Sequence, residues 1–215
     1  MSKPLLVFDM DGVLVDVKES YRETIRATVN HFCGKVPSHE EIQHYKNLGG
    51  YNNDWLLSQR LCQDYGRDIA YQEVVDTFNR YFFGSSDTPG LMEKERWLPL
   101  PGLLERLADR FALAIFTGRL RDEAQITLRR FAADIPWLAV VGDDDVARSK
   151  PDPDGLVQLR ARGEIVFYLG DSVDDAKAGR DAGLPFVAIT APGGNFSGLP
   201  VAHYLDNINE LESIL

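Results

Sequence analysis

The sequence predicts an α/β fold: a doubly wound parallel sheet interrupted by an inserted all-helical domain. Short apolar runs without alternation recur at 5–8, 111–116, 138–141, 165–169 and 186–189, each bounded by turn residues. Such runs mark strands buried on both faces. Amphipathic stretches separate the later runs, and between residues 18 and 83 the apolar spacing is helical with no convincing strand.

Taken in order, the run 5–8 is the first strand and ends in Asp9-Met10-Asp11-Gly12. After Val15-Asp16 the rhythm changes, with Tyr21, Ile25, Val29 and Phe32 at helical intervals, then helical segments over 55–61 and 74–82. The small polar segment 84–90 closes this stretch as a linker or hinge. The predicted domains are therefore 1–17 with 89–215 for the sheet, and 18–88 for the helical insertion. Leu103, Leu104 and Leu107, and then Ala124, Leu128 and Phe131, give helical stripes between later strands, the strand–helix–strand pattern of a parallel sheet.

Composition narrows the function. The chain has 215 residues, 44% apolar and 26% charged, near the globular average. With 33 acidic against 23 basic residues it carries a formal charge of -10, so nucleic-acid or anionic-membrane docking lacks its usual driving term. Cys33 and Cys62 make no metal pattern and read as small buried hydrophobes in a reducing compartment. No apolar run approaches membrane-spanning length, and the start is too short for a signal peptide, so a cytoplasmic protein is expected. His31, His39, His44 and His203 show no shared-ligand spacing, and Asn195 reads as a loop turn.

The chemistry lies where strands end. Asp9 and Asp11, Thr117-Gly118, Lys150 and Gly170-Asp171 all fall at or near carboxyl ends of predicted strands, which share one edge in an open parallel sheet. Two carboxylates two residues apart repel unless a cation offsets them. Asp171, Asp174 and Asp175 add oxygen at the same edge without any His or Cys, a donor set that favours Mg2+ over zinc or copper. Lys150 brings a mobile positive charge; Thr117 and the amide of Gly118 offer neutral donors. Together these groups describe phosphoryl transfer through an aspartyl-phosphate, with Asp9 attacking phosphorus and Asp11 serving as acid and then base.

In that order, Asp9-Met10-Asp11-Gly12-Val13-Leu14, Thr117-Gly118, Ser149-Lys150-Pro151 and Gly170-Asp171-Ser172-Val173-Asp174-Asp175 resemble the four signature motifs of the haloacid dehalogenase superfamily, over essentially the whole chain. The helical insertion resembles the cap of its phosphoglycolate phosphatase-like and beta-phosphoglucomutase-like branch. The resemblance implies a Rossmann-like core with Asp9 as nucleophile and Mg2+ ligand, and Asp11 as general acid and base whose backbone carbonyl also meets the metal. It implies Asp171 as third ligand, Thr117 as phosphoryl holder and Lys150 as neutralising charge. Asp175 would orient Lys150 or a water on the metal. Asp174 is adjacent and the spacing tolerates either, with Asp175 preferred.

Other groups are read two ways. Asp143, Asp144 and Asp145 form either part of the acidic site or a solvated turn or cap. Arg119 and Arg121 either reach a substrate anion or start a helix facing solvent, and Arg119 is the candidate substrate ligand. In the cap, the glycine-containing segment 46–55 makes Lys46, Asn52 and Asn53 candidates for substrate recognition, while Asn53 would equally serve as a helix cap.

The function expected is a Mg2+-dependent phosphatase acting on a small phosphorylated metabolite. A phosphomutase would use the same four motifs. A dehalogenase needs no acid two residues after its nucleophile, and Asp11 is present. A phospho-receiver would be shorter, uncapped and differently ordered, and a binding module would not need every motif position filled.

Overall fold

A computed structural model of the chain describes residues 3–190 and 196–215; the turn expected at Asn195 lies outside them. The chain divides into two compact units, Met1–Val15 with Trp97–Leu215, and Asp16–Arg96.

In chain order the strands are β1 (Leu5–Phe8), the two-residue β2 (Val15–Asp16), β3 (Gly84–Ser85), β4 (Thr88–Pro89) and β5 (Arg96–Trp97), then β6 (Ala112–Phe116), β7 (Trp137–Val141), β8 (Ile165–Gly170), β9 (Phe186–Ile189) and β10 (His203–Leu205). Six of them form one sheet in the order β10-β9-β8-β1-β6-β7, every neighbouring pair parallel. The first strand is thus central, flanked by β6 and β8. Strand order reverses around it, and an open α/β sheet holds its ligand crevice at the carboxyl ends beside such a reversal. All four residues of β1 are buried, as its unbroken apolar sequence requires. Tyr168, Phe116, Phe186 and Leu156 lie in the core beside the sheet.

Helices α5 (Leu103–Arg110), α6 (Arg121–Phe131), α7 (Asp154–Arg160) and α8 (Val173–Asp181) belong to the same unit. The stripes at Leu103, Leu104 and Leu107, and at Ala124 and Leu128, are buried as their spacing predicts. Beyond the expected strands, β10 adds an edge with two exposed residues, His203 and Tyr204.

The second unit is built on α1 (Tyr21–Cys33), α2 (His39–Leu48), α3 (Asp54–Asp64) and α4 (Tyr71–Phe83) around Ile25, Val29, Ile42, Leu57, Leu61 and Phe78. α1 stops at Gly34, whose φ of 62° is the left-handed cap conformation. α2 starts with a capping box between Ser38 and Glu41. Cys62 is buried here with Cys33 packed against the cluster, and burial pushes its thiol up to about 12. The segment expected as a plain linker is instead a small antiparallel pair, Gly84 opposite Pro89 and Ser85 opposite Thr88. Gly84, at φ 77°, allows the reversal that opens it. Among the described residues no helix is long and apolar enough to cross a membrane.

Candidate active site

Directly after β1 the chain turns tightly: the amides of Val13, Leu14 and Val15 all donate to the carbonyl of Met10. Met10, Val13 and Leu14 are fully buried, so the turn is held by its own apolar side chains and Asp9 is fixed at the strand end. The Asp9 amide donates to Leu169 O on β8 at 2.8 Å, and the Thr117 amide to Val141 O on β7 at 3.0 Å. Sheet pairing thereby fixes Asp9 and Thr117 at the carboxyl edge, beside Gly170-Asp171 at the end of β8.

Lys150 joins them from a loop. Only 5% exposed, its Nζ donates to Asp9 Oδ1 at 2.8 Å and to Asp175 Oδ1 at 2.7 Å. The ammonium also lies 4.7 Å from the Phe116 ring centroid and 5.5 Å from that of Tyr168, whose faces favour a cation. Asp175 is held from several sides. Its Oδ1 accepts from the Tyr168 hydroxyl at 2.5 Å, and its Oδ2 accepts from the amide and hydroxyl of Ser172 at 3.1 and 2.5 Å. The Asp175 amide returns a hydrogen bond to Ser172 Oγ, completing a capping box at the start of α8. The structure therefore brings Asp175 to Lys150; Asp174 is buried beside it.

One ammonium serves two buried carboxylates here, and the balance is uneven. Burial drives Asp175 upward, yet the charge and hydrogen bond of Lys150, with Ser172 and Tyr168 donating, outweigh it and hold the group below the ordinary range. Burial also pulls the Lys150 ammonium down, but Asp175 and Asp9 together hold it above its ordinary value. Burial raises the Asp9 carboxyl, Lys150 draws it back only in part, and Asp175 and Asp11 add to the rise, leaving it at about 7. A divalent cation beside Asp9 would favour its ionised form. The donor set suits one: carboxylate oxygens of Asp9, Asp171 and Asp175 lie within 4.8 Å of one another, with no nitrogen or sulfur ligand in the group. All-oxygen coordination fits a hard divalent cation.

Gly12 makes room for this cluster. A Cβ on it would stand 1.9 Å from Asp171 Oδ2, and its φ of 77° disfavours any side chain. Gly12→Ala is therefore expected to cost about 1–3 kcal/mol in urea unfolding and to lower activity through displacement of Asp171.

Asp11 and Arg119 meet. Arg119 Nε and Nη2 donate to Asp11 Oδ1 at 2.8 and 2.6 Å, and Nη1 donates to Thr127 Oγ1 of α6 at 2.8 Å. Arg119 is thus paired with Asp11, its side chain 1% exposed against 32% for that of Asp11. Its amide donates to Thr117 Oγ1, and its carbonyl accepts from Asp143. The half-buried Gly118 lies between Thr117 and Arg119.

Asp144 and Asp145 behave as the turn-and-cap reading expects. Asp144 Oδ1 accepts from the Arg121 amide at 2.8 Å, and Asp145 Oδ2 accepts from the Gly142 amide and from Arg121 Nε, each at 2.8 Å. Neither these two nor Asp143, whose carboxyl burial raises, belongs to the close carboxylate group.

In the helical unit, Lys46 Nζ donates to Asp54 Oδ1 at 2.5 Å and to Asn52 O at 3.3 Å. Asn53 caps α3, its Oδ1 accepting from the Leu56 amide at 2.9 Å. Asn52 is half-buried. Lys46 and Asn53 thereby fix the shape of the segment 49–53.

A parallel sheet whose carboxyl edge holds close carboxylates and an ammonium, with a threonine at the neighbouring strand end, defines a class of α/β enzyme. Residues 6–189 match the haloacid dehalogenase-like hydrolase family, and the chain belongs to that family. It is 36% identical over 204 residues to a Phytophthora nicotianae protein named imidazoleglycerol-phosphate dehydratase, covering 89% of this chain but 45% of that one. It is 25% identical over 198 residues to a phosphoglycolate phosphatase of Mesorhizobium japonicum, covering 88% of this chain and 83% of the relative. The fold is shared with the crystal structure of a putative phosphoglycolate phosphatase from Lactobacillus plantarum, at a TM-score of 0.77 with 20% identity over the whole of both chains.

Proposed function

We propose that the chain is a Mg2+-dependent phosphatase that hydrolyses a small phosphorylated metabolite through phospho-Asp9. The observation that carries this reading is the buried Asp9 carboxylate, 2.8 Å from Lys150 Nζ and grouped with Asp171 at the sheet edge. A nucleophile at the end of β1, cation-ready oxygens at the end of β8 and the Lys150 ammonium from the loop before α7 then stand together. Asp9 and Asp171 carboxylates, with the Asp11 backbone carbonyl, would hold Mg2+, which when bound neutralises charge on the phosphoryl oxygens.

In the reaction an Asp9 oxygen attacks phosphorus as the bond to the ester oxygen breaks. The Asp11 carboxyl gives its proton to that oxygen, and the alcohol leaves. Asp11, now a carboxylate, takes a proton from the water that attacks the phospho-aspartate. The Asp9–phosphorus bond breaks, inorganic phosphate departs and Asp11 is again protonated. Thr117 and the Gly118 amide donate to the phosphoryl oxygens and Lys150 balances the charge developing on them. Asp175 fixes Lys150, and Asp174 lies beside it. Recognition of the leaving group is assigned to the cap segment 46–55, with Asn52 the recognising side chain and Lys46 and Asn53 setting the segment's shape.

Hydrolysis is preferred over phosphoryl return to substrate because curated relatives that span most of this chain are named as phosphatases. The test is a panel of phosphate monoesters, including phosphoglycolate and imidazole-bearing esters, assayed for phosphate release. Release should require Mg2+, vanish on chelation and return when Mg2+ is restored. Isomerised ester in excess of free phosphate would establish the mutase instead. Activity indifferent to chelation would remove the metal from the reading.

A further inference from the structure

We propose that Arg119 is a positioning residue for Asp11: it anchors one carboxylate oxygen so that proton exchange with the ester oxygen falls to the other. The inference rests on the reading of Asp11 as acid and base. Three features of the pair carry it.

The first is asymmetry of burial. The Arg119 side chain is 1% exposed and the Asp11 side chain 32%, so the arginine is the buried member of the pair. The second is its anchorage. Nη1 is bonded to the buried Thr127 Oγ1 on α6, the backbone amide to Thr117 Oγ1 at 3.2 Å, and the carbonyl accepts from Asp143 at 2.8 Å. A long side chain held at both ends loses little further freedom in gripping a partner. The third is convergence: Nε and Nη2 both donate to Oδ1 of Asp11, at 2.8 and 2.6 Å. A carboxylate gripped at Oδ1 by a charged double donor has Oδ2 as its oxygen for accepting and giving a proton.

A lysine could neutralise Asp11 but could not fix its plane, because an ammonium lacks the rigid fork. In this proposal Arg119 acts through Asp11 and not as a substrate ligand. A substrate ligand acts on the phosphoryl group common to all esters, whereas a residue that aims the acid matters in proportion to how badly the leaving oxygen needs a proton.

That difference is measurable. The specificity constant kcat/KM reports steps up to departure of the alcohol, before phospho-aspartate hydrolysis. For an alkyl phosphate, Arg119→Lys and Arg119→Ala should lower it by about 100-fold, the lower end of what general-acid catalysis supplies. For p-nitrophenyl phosphate, whose phenolate departs without a proton, it should fall only a few-fold. Guanidinium ion should restore alkyl phosphate turnover in Arg119→Ala but not in Arg119→Lys. Asp11→Asn should show the same split between esters, and Asp11→Asn/Arg119→Lys should lose no more on the alkyl ester than Asp11→Asn alone. Should Arg119→Ala fail to fold, Thr127→Val, which removes the hydroxyl that anchors Nη1, should reproduce the split in smaller degree.

Equal losses on both esters in Arg119→Lys, without guanidinium rescue of Arg119→Ala, would overturn the proposal while a split in Asp11→Asn left the reading of Asp11 standing. No split in Asp11→Asn would overturn both.

Discussion

Asp9→Asn should release no phosphate above background, a loss of at least about 1,000-fold in kcat, while the protein stays folded. An amide oxygen is a poor nucleophile toward phosphorus, and the carboxylates nearby have other partners: Asp175 is tied by Lys150, Tyr168 and Ser172, and Asp11 through Oδ1 by Arg119. Stability should move the other way. Asp9 is 5% exposed and shares one ammonium with Asp175, so the neutral amide removes a buried carboxylate that is only partly compensated. The thermal midpoint should equal or exceed that of the parent, as expected where a site is built at the expense of stability. Turnover surviving in Asp9→Asn, with labelled phosphate still trapped on the protein, would move the nucleophile elsewhere.

Lys150→Met should be damaging in both respects. It leaves Asp9 and Asp175 within 4.8 Å of each other and of Asp171 without the cation bonded to two of them. Removing one member of a buried ionic group typically costs about 3–5 kcal/mol, because the partners left behind stay desolvated. Methionine still fills the space against Phe116, so the loss reflects charge more than packing. Urea unfolding should show that cost, and phosphate release should fall steeply. Equal stability with reduced turnover would mean that Lys150 serves catalysis alone.

Much of this was legible in the sequence, because strands buried on both faces print as unbroken apolar runs. Runs at 5–8 and 186–189 coincide with β1 and β9. β10 was not legible: three residues at an edge, two of them exposed, leave no such run. The Asp174 and Asp175 alternative had an unused local signal. Ser172-Val173-Asp174-Asp175 is a helix-start pattern in which the residue three after serine turns back to the serine amide, and that residue is Asp175. The cap role of Asn53 was legible from its place before a helix, whereas the pairing of Lys46 with Asp54, eight residues on, leaves no pattern in the sequence. The grip of Arg119 on Asp11 crosses 108 positions and has no local mark. Tyr168 was hidden differently. It sits inside an apolar run, so nothing in periodicity separates a hydroxyl that holds Asp175 from a ring that fills the core.

The two oxygens of Asp175 face different duties, one toward the start of α8 and the other toward Lys150. A single carboxylate therefore answers to both folding and turnover, and the two selective pressures cannot drift apart at this position. Glutamate would lengthen the reach and disturb both at once; asparagine would keep the shape and forfeit the charge. Few substitutions can be neutral there.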